Sequence, residues 1–191
     1  AGTAVNDSRN AGTFVLYKNV YKMKIAIIGC GNMGGAIARG LAANNDFASH
    51  NKLAVSNRSY GKLEKLKAEY PAIEVSTDNK EVAKDADIVI FAVKPWLLDA
   101  VVNEMRQALN GQQIIVSVVA GVPFEHLGEI LSTDSVHALF RVIPNTAIAL
   151  GESMTVIAAE NATESQIAVV SGLFNHLGKT LLLEERLMGA A

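Results

Sequence analysis

The chain has 191 residues, half of them hydrophobic and 19% charged, with a formal net charge of −2 and a pI near 6.1. This is the composition of a packed domain and not of a disordered one, and it lacks the basic balance that nucleic acid or an anionic membrane surface would select. A single cysteine, Cys30, excludes an internal disulfide framework and points to a reducing compartment, the cytoplasm, while apolar runs such as 86–93 are far too short to span a bilayer.

Residues 1–22, AGTAVNDSRNAGTFVLYKNVYK, have neither the basic start and apolar middle of a secretory signal nor the arginine content of a transit peptide. They read as an N-terminal extension or cloning remnant, peripheral to function, although TFVLYKNVY could add an edge strand. Met23 stands directly before the first strong strand. From Lys24 onward, short apolar runs alternate with helical patterns, which predicts an α/β fold of βαβ units with a mostly parallel sheet. KIAIIG is the first strand and Asn32–Ala43 a helix of small residues. KLAVSN is the second strand, followed by a helix over YGKLEKLKAEY with leucines on one face and charges on the other. IEVS makes a short third strand, and 78–84 a short helix N-capped by Asp78. ADIVIFAV is a buried fourth strand that Pro95 stops. WLLDAVVNEMRQAL then forms an amphipathic helix, with Trp96 and the following leucines expected against the sheet. QQIIVSVVA, VHALFRVI, SMTVIAA and TLLL are the later strands, with helices over PFEHLGEIL and 163–176 between them. The closing EERLMGAA reads as the start of another helix.

The chemistry gathers at strand ends. Gly29-Cys30-Gly31-Asn32-Met33-Gly34 satisfies G-x-G-x-x-G directly after a strand and at the opening of a helix, the context that a dinucleotide-binding loop requires. Gly29 permits the tight turn, Gly31 lets backbone approach a pyrophosphate, and Gly34 lets helix and strand pack closely. The free N–H groups and positive end of the helix then hold the phosphate charge. A βα turn that merely needs glycines would carry the same letters, so the motif alone does not decide. Cys30 reads as a small filler, with no second cysteine or histidine cluster to make a metal site.

At the end of the second strand, Ser56-Asn57-Arg58-Ser59 offers no carboxylate for the ribose hydroxyls of NAD. A neutral amide, a guanidinium and two hydroxyls suit the 2′-phosphate of NADP; the alternative is a solvated turn. Ala92, Val93, Lys94 and Pro95 end the fourth strand and should line a cleft outside the carboxyl ends of the strands. Lys94 either meets a phosphate or carboxylate there or is a solvated lysine. In RVIPNTA, Arg141 should pair with an acidic group or cap carbonyls. Asn145 either donates to a substrate or nicotinamide amide or forms the turn. The four histidines show no ligand spacing, and no Ser-His-Asp order or carboxylate pair supports nucleophilic or glycosidase chemistry.

The glycine loop, SNRS, TDNKEVAKDADIVIFAVKP, SVVAG and RVIPNTA stand in one order and at one spacing that closely resembles the pyrroline-5-carboxylate reductases, from Met23 to the C-terminus. The resemblance implies a Rossmann-type, doubly wound cofactor domain over 23–183, with helices on both faces of its sheet, that uses NADPH or sometimes NADH. It also implies, at 184–191, the start of a helical domain through which the full-length protein forms a homodimer or higher oligomer. The implied reaction is reduction of the C=N bond of 1-pyrroline-5-carboxylate to L-proline, with no essential acid–base side chain in this stretch. By position, Gly29 to Gly34 would hold the pyrophosphate. Asn57, Arg58 and Ser59, with Asn79 beside them, would hold the adenosine phosphate. Ala92 to Pro95 and Ala120 would wall the ribose and nicotinamide, and Asn145 would meet the substrate. Ile143 and Ala147 stand where the family commonly has Met and Pro, and the family's Ser-, Gly- and Pro-rich substrate motif would follow Ala191. The isolated chain is therefore expected to bind a dinucleotide without turning over substrate. A β-hydroxyacid dehydrogenase shares the G-x-G-x-M-G loop but needs a serine- and double-glycine turn that RVIPNTA does not supply.

Overall fold

Strands such as Ile88–Phe91 and Ile114–Ser117 show no polar alternation, so they are satisfied only where both faces of a sheet are covered. The computed structural model, which describes residues 22–132 and 136–190, places both at the centre of one sheet. TFVLYKNVY lies outside the described residues. Along the chain come β1 (Met23–Ile28), α1 (Asn32–Ala43), α2 (Asn45–His50), β2 (Asn51–Ser56), α3 (Tyr60–Glu69), β3 (Glu74–Ser76) and α4 (Asn79–Ala83). They are followed by β4 (Ile88–Phe91), α5 (Leu98–Met105), β5 (Ile114–Ser117), α6 (Phe124–Leu131), β6 (Ala138–Ile143), β7 (Ser153–Glu160), α7 (Glu164–Asn175) and β8 (Gly178–Leu182).

The strand order is β3-β2-β1-β4-β5-β6-β7-β8, parallel throughout except for the antiparallel pair β6–β7. That exception follows from length. Only residues 144–152 join β6 to β7, too few for the crossover that parallel strands need. The chain winds outward from β1 through β2 to β3, then returns to β4 on the other side of β1. One core holds α1 (Ile37, Leu41), α3 (Leu63, Leu66) and α7 (Val170, Phe174) against one face of the sheet; the other holds α4 (Val82), α5 (Leu98, Val102, Met105) and α6 (Phe124, Leu127). This is the doubly wound α/β arrangement expected, with helices on both faces.

Asp78 behaves as the N-cap that the sequence indicates, its carboxylate accepting from the Lys80 backbone N–H, and α7 opens on a capping box between Thr163 and Gln166. Three details differ. α2 is a short helix, capped by Asn44, that is too brief to show periodicity. Trp96 does not pack on the sheet: a 3₁₀ turn over Pro95–Leu97 delays α5 to Leu98, so Leu98, Val102 and Met105 take the buried face and Trp96 is left 77% exposed. EERLMGAA forms a 3₁₀ segment over Glu185–Ala190, with Met188 buried. No helix among the described residues is long and apolar enough to cross a membrane.

Candidate functional site

β1 and β4 are neighbours whose following segments leave in opposite directions, so a crevice opens beyond their carboxyl ends. The glycine loop sits at its mouth. Gly29 has φ +107°, and a Cβ there would lie 2.6 Å from the Ala92 carbonyl oxygen. A Cβ on Gly34 would fall 2.0 Å from the Gly29 carbonyl oxygen, so α1 rests directly on the turn. Gly31 is different. Its φ is −76°, open to any residue, and a Cβ there would meet no protein atom within 4 Å. Neither backbone nor packing requires glycine at that point, and the space in front of it is open to the approach of a ligand. Gly31 also supplies no side-chain cap to α1, whose first turn holds no acid, so its leading N–H groups remain available to an anion.

Asn57 ties this loop to the next strand end. Its Oδ1 accepts from the Cys30 N–H at 3.1 Å, and its Nδ2 donates to the carbonyl and hydroxyl oxygens of Ser59 at 3.0 and 3.2 Å. The Gly29 N–H donates to the Ser56 carbonyl, and the Ser56 hydroxyl to Asn79 Oδ1 at 2.7 Å. The polar groups of SNRS therefore go largely into bracing the loop, and Arg58 is left exposed beside them.

The crevice has a volume of about 800 Å³. Of the expected residues, Gly29, Gly31, Asn32, Met33, Asn57, Arg58, Asn79, Ala92, Val93, Lys94, Pro95 and Ala120 line it. Four expected residues do not. Gly34 serves the helix–strand contact. Ser59 stands at the N-cap of α3, with its hydroxyl engaged by Asn57. Cys30 is buried in the core, where burial pushes its thiol pKa up against the opposing pull of Arg39 and Lys62. Asn145 departs furthest: its Oδ1 accepts from the Ala147 N–H at 3.1 Å and caps the 3₁₀ turn over Thr146–Leu150, the turn-forming role that competed with substrate binding.

Sequence reasoning passed over Lys62, Thr77, Glu104, Thr146 and Ile148, all of which line the crevice. Lys62 had a signal, three residues past the N-cap of the helix that follows SNRS. Leu97, Ala100, Val101 and Glu104 had another, since they fall at i, i+3, i+4 and i+7 on the helix that follows AVKP. Thr146 and Ile148 had none, because only the β6–β7 return brings them near β1.

The charged side chains of the lining are Arg58, Lys62, Lys94 and Glu104, an excess of cations at a site suited to phosphate. Lys62 also borders a smaller cavity of about 440 Å³ between α1 and α3, with Arg39 and Lys65. Arg39 is already engaged there, donating to both carboxylate oxygens of Glu69 at 2.9 and 3.1 Å. That hydrogen-bonded pair raises the guanidinium pKa and lowers that of the Glu69 carboxyl. Arg141 does pair with an acid: its Nη1 donates to Glu185 Oε1 at 2.8 Å, and the same oxygen accepts from the Phe124 N–H at 2.7 Å. Among the described residues, no group of three or more His, Cys, Asp or Glu could hold a metal ion.

A family model described as NADP oxidoreductase coenzyme F420-dependent matches residues 24–121. The chain is 33% identical over 178 residues to pyrroline-5-carboxylate reductase 1 of Dictyostelium discoideum, covering 87% of this chain and 31% of that protein. Among solved structures, a pyrroline-5-carboxylate reductase of Coxiella burnetii superposes with a TM-score of 0.78 at 27% identity, covering 86% of this chain and 60% of that one. The Plasmodium falciparum pyrroline carboxylate reductase with NADP bound gives 0.75 at 25% identity, covering 87% and 59%. The chain thus spans less than two thirds of the length of the curated relatives it matches.

Proposed function

This chain belongs to the family described as NADP oxidoreductase coenzyme F420-dependent, and we propose that it is the cofactor-binding part of a pyrroline-5-carboxylate reductase. In this reading NADPH occupies the crevice, with NADH a weaker substitute, and the whole protein reduces 1-pyrroline-5-carboxylate to L-proline. The observation that carries the cofactor reading is Gly31, a glycine that the fold itself does not require and that leaves the uncapped start of α1 open to a pyrophosphate. The curated relatives carry the substrate reading.

The residues divide the work by position. Gly31, Asn32 and Met33 bring backbone N–H groups to the pyrophosphate, and Gly29, Gly34 and Cys30 shape the turn from behind. Arg58 and Lys62 face the 2′-phosphate, with Asn57 and Ser59 holding the turn that presents Arg58 and Asn79 fixed to Ser56. Ala92, Val93, Lys94, Pro95 and Ala120 bound the ribose and nicotinamide end. When bound, the cofactor supplies a hydride for the imine carbon. A protonated imine is already electrophilic, so the chain's contribution is orientation and exclusion of water, with no side chain here needed as proton donor. With its oxygen held by Ala147, Asn145 can offer a substrate only its amide N–H groups.

Residues 23–183 make the cofactor domain in this reading. Residues 184–191 lead into a helical domain that completes the substrate site and joins subunits into a homodimer or higher oligomer in the cytoplasm. The test is a titration of NADPH and NADH into the chain and its Arg58→Ala variant. The loss of one charge-assisted contact should weaken NADPH about 10- to 100-fold and leave NADH unchanged. Failure of the chain to bind NADPH sinks the cofactor reading. Failure of a version extended to the relatives' length to reduce 1-pyrroline-5-carboxylate sinks the substrate reading.

A further inference from the structure

Three of the four charged side chains in the crevice have an evident partner in a dinucleotide, since Arg58, Lys62 and Lys94 suit its phosphates. Glu104 does not. A carboxylate facing so anionic a ligand is repelled unless it meets a hydrogen-bond donor. A dinucleotide offers few donors: the ribose hydroxyls, the nicotinamide carboxamide and the exocyclic amine of adenine.

Position selects among them. Glu104 shares one face of α5 with Ala100 and Val101, Leu97 stands in the turn just before it, and all four line the crevice. α5 packs against α4, whose first residue, Asn79, is hydrogen-bonded to Ser56 at the end of β2, the strand that leads into Arg58. Glu104 therefore stands on the adenosine side, away from Val118 and Ala120 beyond β5. The apolar side chains of Leu97 and Val101 offer a flat base a surface to lie on, and the carboxylate marks the polar end of that slot. We propose that Glu104 reads the adenine ring of the cofactor by accepting a hydrogen bond from its 6-amino group. This rests on the NADPH reading given above and adds a base-recognition residue to it.

The probe is the analogue of NADPH whose base is unsubstituted purine, with a hydrogen in place of the 6-amino group and therefore no donor at that edge. Wild-type chain should bind NADPH about tenfold more tightly, because only adenine carries an exocyclic N–H at that edge for the carboxylate to accept. In Glu104→Ala the two dinucleotides should bind alike. Glu104→Gln should narrow the gap without closing it, since its amide oxygen still accepts from the amine but without the charge. Glu104 is exposed and makes no ion pair among the described residues, so both variants should unfold at the wild-type temperature. Equal binding by the wild type, or a preference that survives in Glu104→Ala, overturns the assignment. If neither dinucleotide binds the wild type, the NADPH reading falls and this one with it.

Discussion

The corner around β1 and the far end of the sheet at β8 are built on different terms. At β1, Ile25 to Ile28 are buried, helices cover both faces, and the strand runs into a loop where Gly29 and Gly34 answer to packing and Gly31 faces the open crevice. At the far end, Met154 of β7 and Leu181 and Leu182 of β8 are about half exposed, and β8 is an edge strand. A glycine is indispensable there too. Gly178 has φ +140°, and a Cβ on it would fall 2.0 Å from the Ser153 carbonyl oxygen. That glycine serves only the register of β7 with β8. Stability is thus spread along the whole sheet, while the proposed cofactor site is confined to one corner, and the two should separate under mutation.

Gly34→Ala should show the largest effect, because its new Cβ meets backbone that cannot yield. It should cost on the order of 3 kcal/mol in urea unfolding and abolish NADPH binding. Gly178→Ala should destabilise by a similar amount, yet folded protein should keep its NADPH affinity within about twofold, since the site is remote. A large loss of affinity in Gly178→Ala would erase the distinction between the two regions. Next comes the carboxylate that joins the far end to the middle of the sheet. Glu185→Ala leaves Arg141 and the Phe124 N–H without their shared acceptor and should cost about 2 kcal/mol in the same unfolding measurement. Pairing Arg141→Met with Glu185→Leu should recover part of that loss, as apolar replacements of ion pairs often do.

The smallest effect concerns pH. His126 Nε2 lies 2.7 Å from Asp99, linking α6 to α5, and that hydrogen bond, with the charges of Asp99 and Glu129, raises the imidazole pKa above its ordinary 6.5. A group raised on folding contributes its stability in full below the unfolded value and loses it as pH rises through the folded value. The urea midpoint should therefore slip between about pH 6 and about pH 8 by slightly more in the wild type than in His126→Gln. Parallel curves would show that this exposed pair contributes nothing.

Much of this molecule was legible from its letters. The strand and helix order, the Asp78 cap, the cleft at the ends of the first and fourth strands, and most of its lining follow from periodicity, local capping and the glycine loop. Those signals are local, and each residue's backbone and immediate neighbours enforce them. What the tertiary structure alone decided is which groups are already occupied. Asn57 and Ser59 look free in sequence, yet they brace the loop, and Asn145 closes a turn. Lys62 and Glu104 look like solvated helix charges, yet both face the crevice. Thr146 and Ile148 reach it from more than a hundred residues beyond the loop, through the short return that makes β7 antiparallel. Periodicity tells whether a side chain faces inward. Which other side chain it meets there depends on the order of strands across the sheet, and only the folded chain sets that order.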